Sequence, residues 1–314
     1  TPSKYWTATY RPYYRQHLNF DPRMSNNIYQ LARVYPKPES RTLSICIPPP
    51  GAMAPQFSAL MVDRVPDYGI YWGGTKVYPL LMISETKSAS KEASLFDKDL
   101  IDSNQLISNI NSEVLSEFKT FNPAIEERDL FFYVYGILHS LDYKHAFSTN
   151  LKLESPRIPL PLDAKQFAAF SHAGERLADI HINYHEVDPW PGLSINFSED
   201  FDPESPNAYR VEKMKHAKHG KKTDRSTIIY NSQITISGVP EEAYDYLIGS
   251  RSAIDWVLNQ HQVSTHKSSG ITNDPNDWAD DHEDPIYIFD LLRRIVTVSM
   301  KTNEIVAGLP KLEF

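Results

Sequence analysis

Apolar residues recur at helical spacing in two stretches of the chain. Between 122 and 141, Leu130, Phe131, Val134, Leu138 and Leu141 share one face, and Asn122 followed by Pro123 predicts the helix start. After Pro161, Phe167, Phe170, Leu177, Ile180 and Tyr184 form a second stripe, with Glu175, Arg176 and Asp179 on the wet side. The two apolar faces are expected to pack on each other. Residues 1–85 instead alternate short aromatic and β-branched runs with Pro and Gly, which predicts strands at 43–47, 68–72 and 76–83. Residues 57–67 read as a short helix or a covered strand, ended by Pro66. A polar stretch from 84 predicts a loop, with a weaker helix near 104–118.

Past the Pro-rich linker at 188–192, runs at 227–230 and 233–237 flank Asn231-Ser232 and predict a hairpin. Helices are expected at 241–248, at 252–260 with Ser250 or Ser252 as cap, and at 286–299 with Asp284 as cap and Pro285 at the first position. No repeat of fixed period is present. The pattern is mixed α+β: a β-rich part over 1–120, packed helices over 121–188, and over 189–314 a strand pair with a basic loop followed by C-terminal helices. These parts form separate domains or one.

Composition adds limits. Hydrophobic residues at 41% and charged residues at 23% suit a folded globular chain. No run of 18 apolar residues occurs, and the Thr1-Pro2-Ser3 start lacks both Met and a signal pattern, so the chain reads as an excised cytoplasmic piece without a membrane partner. Cys46, the single cysteine, excludes an internal disulfide and reads as a core thiol in the run Leu43-Ser44-Ile45-Cys46-Ile47.

Catalytic signatures are missing. A methyltransferase needs a Gly-rich cofactor loop and an Asn-Pro-Pro-aromatic motif to hold a flipped base. Asn122-Pro123-Ala124-Ile125 supplies two letters only and reads better as a helix cap. The pattern G-x-x-x-x-G-K-[ST] is absent, which removes ATP hydrolysis from this segment. Glu85-Thr86-Lys87 resembles the end of a nuclease pattern but lacks its upstream Pro-Asp. Asp274, Asp277, Asp280, Asp281, His282, Glu283 and Asp284 read as a solvated run before a helix rather than a metal site. His139, His145, His172, His181 and His185 carry no paired-ligand spacing, and Gly73-Gly74 reads as a turn. No catalytic residue, metal or cofactor is therefore assigned to the chain.

One segment does stand out. Lys213, Lys215, Lys218, Lys221, Lys222 and Arg225 place six basic residues within thirteen positions of a chain whose net charge is -8. With Gly220 between them they read as a flexible loop suited to DNA phosphates or base edges, and Arg64 and Lys76 are added as weaker contacts.

Longer strings resemble the C-terminal specificity region of Type ISP restriction-modification enzymes. They are Tyr10-Arg11-Pro12-Tyr13, Phe57-Ser58-Ala59-Leu60 through Pro66-Asp67, Gly73-Gly74 with Tyr78-Pro79-Leu80, Tyr133-Val134-Tyr135-Gly136-Ile137-Leu138-His139-Ser140, and Pro156-Arg157-Ile158-Pro159-Leu160. Phe170-Ser171-His172-Ala173-Gly174-Glu175-Arg176-Leu177-Ala178, Ile229-Tyr230-Asn231, Gly238-Val239-Pro240 and Asn273-Asp274-Pro275-Asn276 continue the match in order along nearly the whole chain. Trp72 and Lys76 depart from the smaller or neutral residues of the family. The resemblance implies a non-catalytic target-recognition domain that reads an asymmetric site in double-stranded DNA. It further implies upstream nuclease, helicase-like ATPase and adenine methyltransferase parts of the same polypeptide, using S-adenosylmethionine, ATP and Mg. A competing reading is a docking module that couples those parts without reading bases; a third is a hydrolase built on the acidic run near Asp280.

Overall fold

The computed structural model describes residues 5–21, 23–25, 28–51, 56–71, 73–84 and 106–314. The chain divides into two compact units: Thr1–Tyr10, Arg15–Ile182 and Gly308–Phe314 form the first, and Arg11–Tyr14 with Asn183–Ala307 the second.

In unit 1 the expected helices form as α3 (Glu127–His139) and α6 (Ala164–Ile182), after α1 (Leu31–Val34) and α2 (Ser112–Phe118) and with the short α4 (Leu141–Ala146) and α5 (Asn150–Leu153) between them. The start of α3 differs from the sequence expectation. Asn122 closes its own turn by accepting from Ala124 N–H at 3.0 Å, while the helix begins five residues later, where Asp129 accepts from Glu126 N–H at 2.9 Å. The acidic box wins because it satisfies an orphan amide of the first turn. Helix α3 is covered almost all round: Phe132, Tyr133, Tyr135 and Ile137 are buried along with the predicted Leu130, Phe131 and Leu138, whereas Leu141 is exposed.

The α3 and α6 backbones approach closely at two glycines. A Cβ on Gly174 would lie 1.9 Å from the Phe132 carbonyl oxygen, and one on Gly136 2.3 Å from that of Phe170. Around this crossing Tyr133 stacks on Phe167 at 5.0 Å and meets Phe170 edge-on at 6.0 Å. Tyr135 Oη accepts from Met61 N–H at 2.8 Å and hydrogen-bonds His181 Nδ1 at 2.7 Å, so one buried hydroxyl ties both helices to a strand.

That strand is β4 (Leu60–Val62), which with β6 (Lys76–Pro79) flanks the fully buried β3 (Ser44–Ile47) in an antiparallel sheet. Residues 57–67 thus hold a covered strand, β4, then two bend residues and β5 (Val65–Pro66). The strand expected at 68–72 does not form: residues 68–71 are turns and bends, and Trp72 lies outside the described residues. Burial pushes the Cys46 thiol up, consistent with a core role. A second sheet runs β2 (Tyr14–Leu18), β1 (Trp6–Arg11), β5, with β1 and β5 parallel. The run expected at 76–83 breaks at Leu80, and β7 (Leu81–Ile83) pairs with β8 (Leu106–Ser108), where a helix was expected to begin.

Unit 2 is built on a four-stranded antiparallel sheet in the order β10 (Lys215–His219), β11 (Lys222–Ile229), β12 (Ile234–Ser237), β9 (Ser194–Phe197). The predicted hairpin is β11–β12; Asn231 Oδ1 accepts from the Gln233 and Ile234 amides at 2.9 Å each, and its Nδ2 donates to Ala208 and Arg210 carbonyls. Of the helix expected at 241–248, one 3-10 turn (Glu241–Tyr244) remains, followed by β13 (Leu247–Ile248) and β14 (Arg251–Ser252), because Gly249 reverses the chain at φ +65. Ser252 caps α7 (Ala253–Gln260), accepting from Asp255 N–H at 3.0 Å. After β15 (Ser264–Thr265), β16 (Thr272–Asn273) and α8 (Asn276–Asp281), α9 (Tyr287–Ala307) runs eight residues beyond the expected end, since buried Thr302 and Ile305 continue its stripe. The Pro-rich linker is docked: Thr297 Oγ1 donates to Asp188 O at 2.8 Å and Trp190 N–H to Arg293 O at 3.2 Å. Tyr13 also belongs here, its ring against Tyr184 at 5.0 Å and its hydroxyl on Tyr246 Oη at 3.1 Å.

Candidate nucleic-acid interface

The basic segment is not a flexible loop. Residues 215–219 and 222–229 pair as β10 and β11 with Lys218 opposite Thr223 and His219 opposite Lys222. Gly220, at φ +63, with Lys221 makes the connection. The register shifts between His216 and Ala217, a bulge that increases the local twist of the ribbon. Lys213, Lys215, Lys218, Lys221 and Lys222 are all exposed, and among the described residues none of them enters an ion pair. Four of these cationic side chains, Lys215, Lys218, Lys221 and Lys222, therefore share one exposed ribbon, and Lys213 stands two residues before it. Beside it, a cavity of about 590 Å³ is lined by His219, Lys222, Thr223, Asp224, Arg225, Ser226, Val239 and Glu241.

Arg225 has a different position from the lysines. Its guanidinium lies 3.9 Å above the Tyr244 ring and donates to Asp255 Oδ2 at 2.7 Å. Asp255 also takes His216 Nε2 at 3.0 Å and Ser252 Oγ at 2.8 Å. Burial opposes its ionisation, but the hydrogen bonds from His216 and Ser252 and the Arg225 charge outweigh that, holding its carboxyl below the usual range. One carboxylate on α7 thus anchors both strands of the lysine ribbon. The Ser252 cap places Asp255 in the first turn of α7, but nothing local in the sequence marks it as the ribbon's anchor, since His216 and Arg225 lie 39 and 30 residues away.

Arg64 and Lys76 sit in unit 1. The Arg64 side chain is 16% exposed with Nε 3.7 Å from Asp63 Oδ1, and Lys76 Nζ donates to Ser155 Oγ at 3.1 Å. The acidic run is partly engaged, as Arg210 bonds Asp280 Oδ2 at 2.8 Å and Asp274 Oδ2 at 3.4 Å. Among the described residues no group of three or more His, Cys, Asp or Glu is placed to hold a metal ion. Glu85, Thr86 and Lys87 lie outside the described residues. No helix among the described residues is long and apolar enough to cross a membrane.

Sequence reasoning missed a further hairpin in unit 2, β15–β16, whose tip His266-Lys267-Ser268-Ser269-Gly270-Ile271 is exposed throughout. The Ser-Ser-Gly turn between Thr-bearing runs is the signal that would have found it.

A two-unit α+β chain with an exposed, anchored basic ribbon offers a surface suited to nucleic-acid phosphates. The chain belongs to the Type ISP C-terminal specificity domain family, whose model matches residues 1–291. It is similar to the ATP-dependent Type ISP restriction-modification enzyme LlaBIII bound to DNA, with 34% identity, a TM-score of 0.84, and coverage of 100% of this chain and 19% of that one. A nuclease-deletion mutant of the Type ISP enzyme LlaGI in complex with a DNA substrate mimic matches at 33% identity and TM-score 0.79, covering 99% of this chain and 25% of that one. The DrdV–DNA complex matches at 26% identity and TM-score 0.81, covering 99% and 29%. The chain thus spans well under a third of these structures' chains. No curated protein matches it.

Proposed function

We propose that this domain recognises a specific double-stranded DNA site for a single-chain restriction-modification enzyme, presenting the target to an upstream adenine methyltransferase and ATP-driven nuclease. S-adenosylmethionine, ATP and Mg are then used by those upstream parts. The observation that carries the reading is the β10–β11 ribbon: in a chain of net charge -8, Lys215, Lys218, Lys221 and Lys222 are gathered, all exposed, on one element anchored through Asp255. Each phosphate neutralised by such a lysine releases condensed counterions, which makes affinity fall with salt. The relatives caught on DNA support the same reading.

Binding isotherms for Lys218→Ala/Lys221→Ala/Lys222→Ala over a salt series test it. The slope of log affinity against log salt should shrink by about 3 if each lysine meets one phosphate. An unchanged affinity and slope would remove the ribbon from the interface. The docking alternative draws on unit 1, where Leu153 and Leu162 stand 72% and 79% exposed. It gains if the folded wild-type protein shows no preference between duplexes of different sequence.

A further inference from the structure

The lysine ribbon shares its root with the β15–β16 hairpin. Lys213 pairs with Gln262 as an isolated antiparallel bridge, and Val263 N–H donates to Glu212 O at 2.8 Å. One residue past Val263 the chain enters β15, which pairs Ser264 with Asn273 and Thr265 with Thr272. The Thr265 and Thr272 hydroxyls bond each other at 2.8 Å. The turn is closed by His266 N–H to Ile271 O and Gly270 N–H to His266 O, both 2.8 Å, with Gly270 at φ +69. Two hairpins therefore leave unit 2 from a common, hydrogen-bonded base.

Their tips differ in chemistry. The first carries Lys218, Lys221 and Lys222; the second carries a single lysine, Lys267, among His266, Ser268, Ser269 and Ile271. Contacts to phosphate favour charge and hold no sequence information, whereas base edges in the major groove are told apart by their pattern of donors and acceptors, which hydroxyl and imidazole groups can read as well as charged ones, and by apolar contact with the thymine methyl group. A two-stranded ribbon is also narrow enough to enter that groove.

The second tip is preorganised for such work. His266 Nδ1 lies 3.0 Å from Ser269 Oγ and 3.1 Å from Ser268 Oγ. These contacts hold the ring through Nδ1, leaving Nε2 in a fixed orientation to pair with a base edge, as donor or acceptor according to the tautomer. Ile271, 69% exposed, supplies an apolar surface beside it.

We infer that the β15–β16 tip is the sequence-determining element of this domain, with His266, Ser268, Ser269 and Ile271 touching base edges while the lysine ribbon sets register on the phosphates. This inference rests on the DNA-recognition reading. Selection of bound duplexes from a randomised library, read by sequencing, tests both separately. Wild-type protein should enrich one motif. His266→Ala and the pair Ser268→Ala/Ser269→Ala should each relax the preference at one or two positions of that motif by about tenfold, with affinity for unselected duplex and the salt slope kept. Lys218→Ala/Lys221→Ala/Lys222→Ala should weaken binding across sequences and leave the motif intact. An unaltered melting temperature shows that the tip variants fold. If wild-type protein enriches a motif and both tip variants reproduce its weights at every position, the assignment of the tip fails while DNA recognition stands; if wild-type protein enriches none, both fail.

Discussion

Replacing Gly174 by Ala adds one methyl group where α6 crosses α3. Built on the existing backbone, that carbon would sit 1.9 Å from Phe132 O, 2.8 Å from Phe132 C and 2.9 Å from Gly136 N. All three are backbone atoms, so no side-chain rotation relieves the clash and the helices must part by about 1 Å to restore van der Waals distance. The opening is paid by the Tyr133, Phe167 and Phe170 contacts on either side, because a gap of that size forfeits about a quarter to a half of each contact's dispersion energy. Overpacking of this kind costs about 3 kcal/mol at the upper end of its usual range. Against it stands a gain of about 1 kcal/mol from replacing glycine within a helix. The net expectation is a loss of about 2 kcal/mol, or a fall in Tm of roughly 4–8 °C for a unit of this size. Because the chain has two units, melting should be followed together with amide exchange on α3 and α6, which isolates the unit concerned. Gly136→Ala should act in the same direction, and the double variant should cost less than the sum, since both methyl groups force one separation. The two effects have opposite signs, so a Gly174→Ala protein as stable as wild type, or more so, refutes the crossing argument.

Two further outcomes follow from buried titratable groups. Burial, with the Lys144 charge nearby, depresses His139 to about 3, and burial with the neighbouring His139 pushes His181 well down. The folded state keeps both neutral while the unfolded state takes up protons below about pH 6.5, so unit 1 holds its full stability above that pH and loses about 1.4 kcal/mol per pH unit per histidine below it. Urea midpoints measured from about pH 7 down to about pH 5 should show a slope smaller by one proton in His139→Gln, and equal slopes would contradict the neutral assignment. Asp255→Asn should cost about 1–3 kcal/mol by leaving His216 and Arg225 without their carboxylate, and should speed amide exchange in β10 and β11. Because the Asp255 carboxyl is depressed in the folded state, its contribution is present above about pH 3.9 and disappears as pH falls through the lower folded value; the variant should lack that acid-dependent loss. Ribbon exchange rates equal to wild type at neutral pH would show that the anchor does not hold the ribbon.

The residues that made the family recognisable in the sequence turn out to be mainly those that hold the fold. Tyr13 is buried among Tyr184 and Tyr246. Gly136 and Gly174 allow the helix crossing, and Asn276 exchanges two hydrogen bonds with the Val211 backbone at 3.0 and 2.8 Å. Such positions accept few alternatives, because each is fixed by a close contact or a buried hydrogen bond. The tips of both hairpins carry no comparable constraint, and only the lysine cluster drew notice, through its charge. Expectations failed where a short-range pattern had a nearby competitor. Asn122 lost the helix start to Glu126 and Asp129, and the helix expected at 241–248 gave way to Gly249 and to Trp256 Nε1, which donates to Ile248 O at 2.9 Å.

By itself the sequence determined the two long helices of unit 1, the β11–β12 hairpin, the covered strand at Cys46, the lack of methyltransferase and ATPase signatures, and the family. Each of these depends on periodicity, turn chemistry or motif order, all of which lie along the chain. Only the tertiary structure decided that the lysines form a ribbon, that Asp255 anchors it from α7, and that a polar hairpin grows from the same root. Strand pairing and the choice of a charged partner join residues dozens of positions apart, and neither a hydrophobic period nor a local charge count records which of the many acidic side chains will be folded against Arg225.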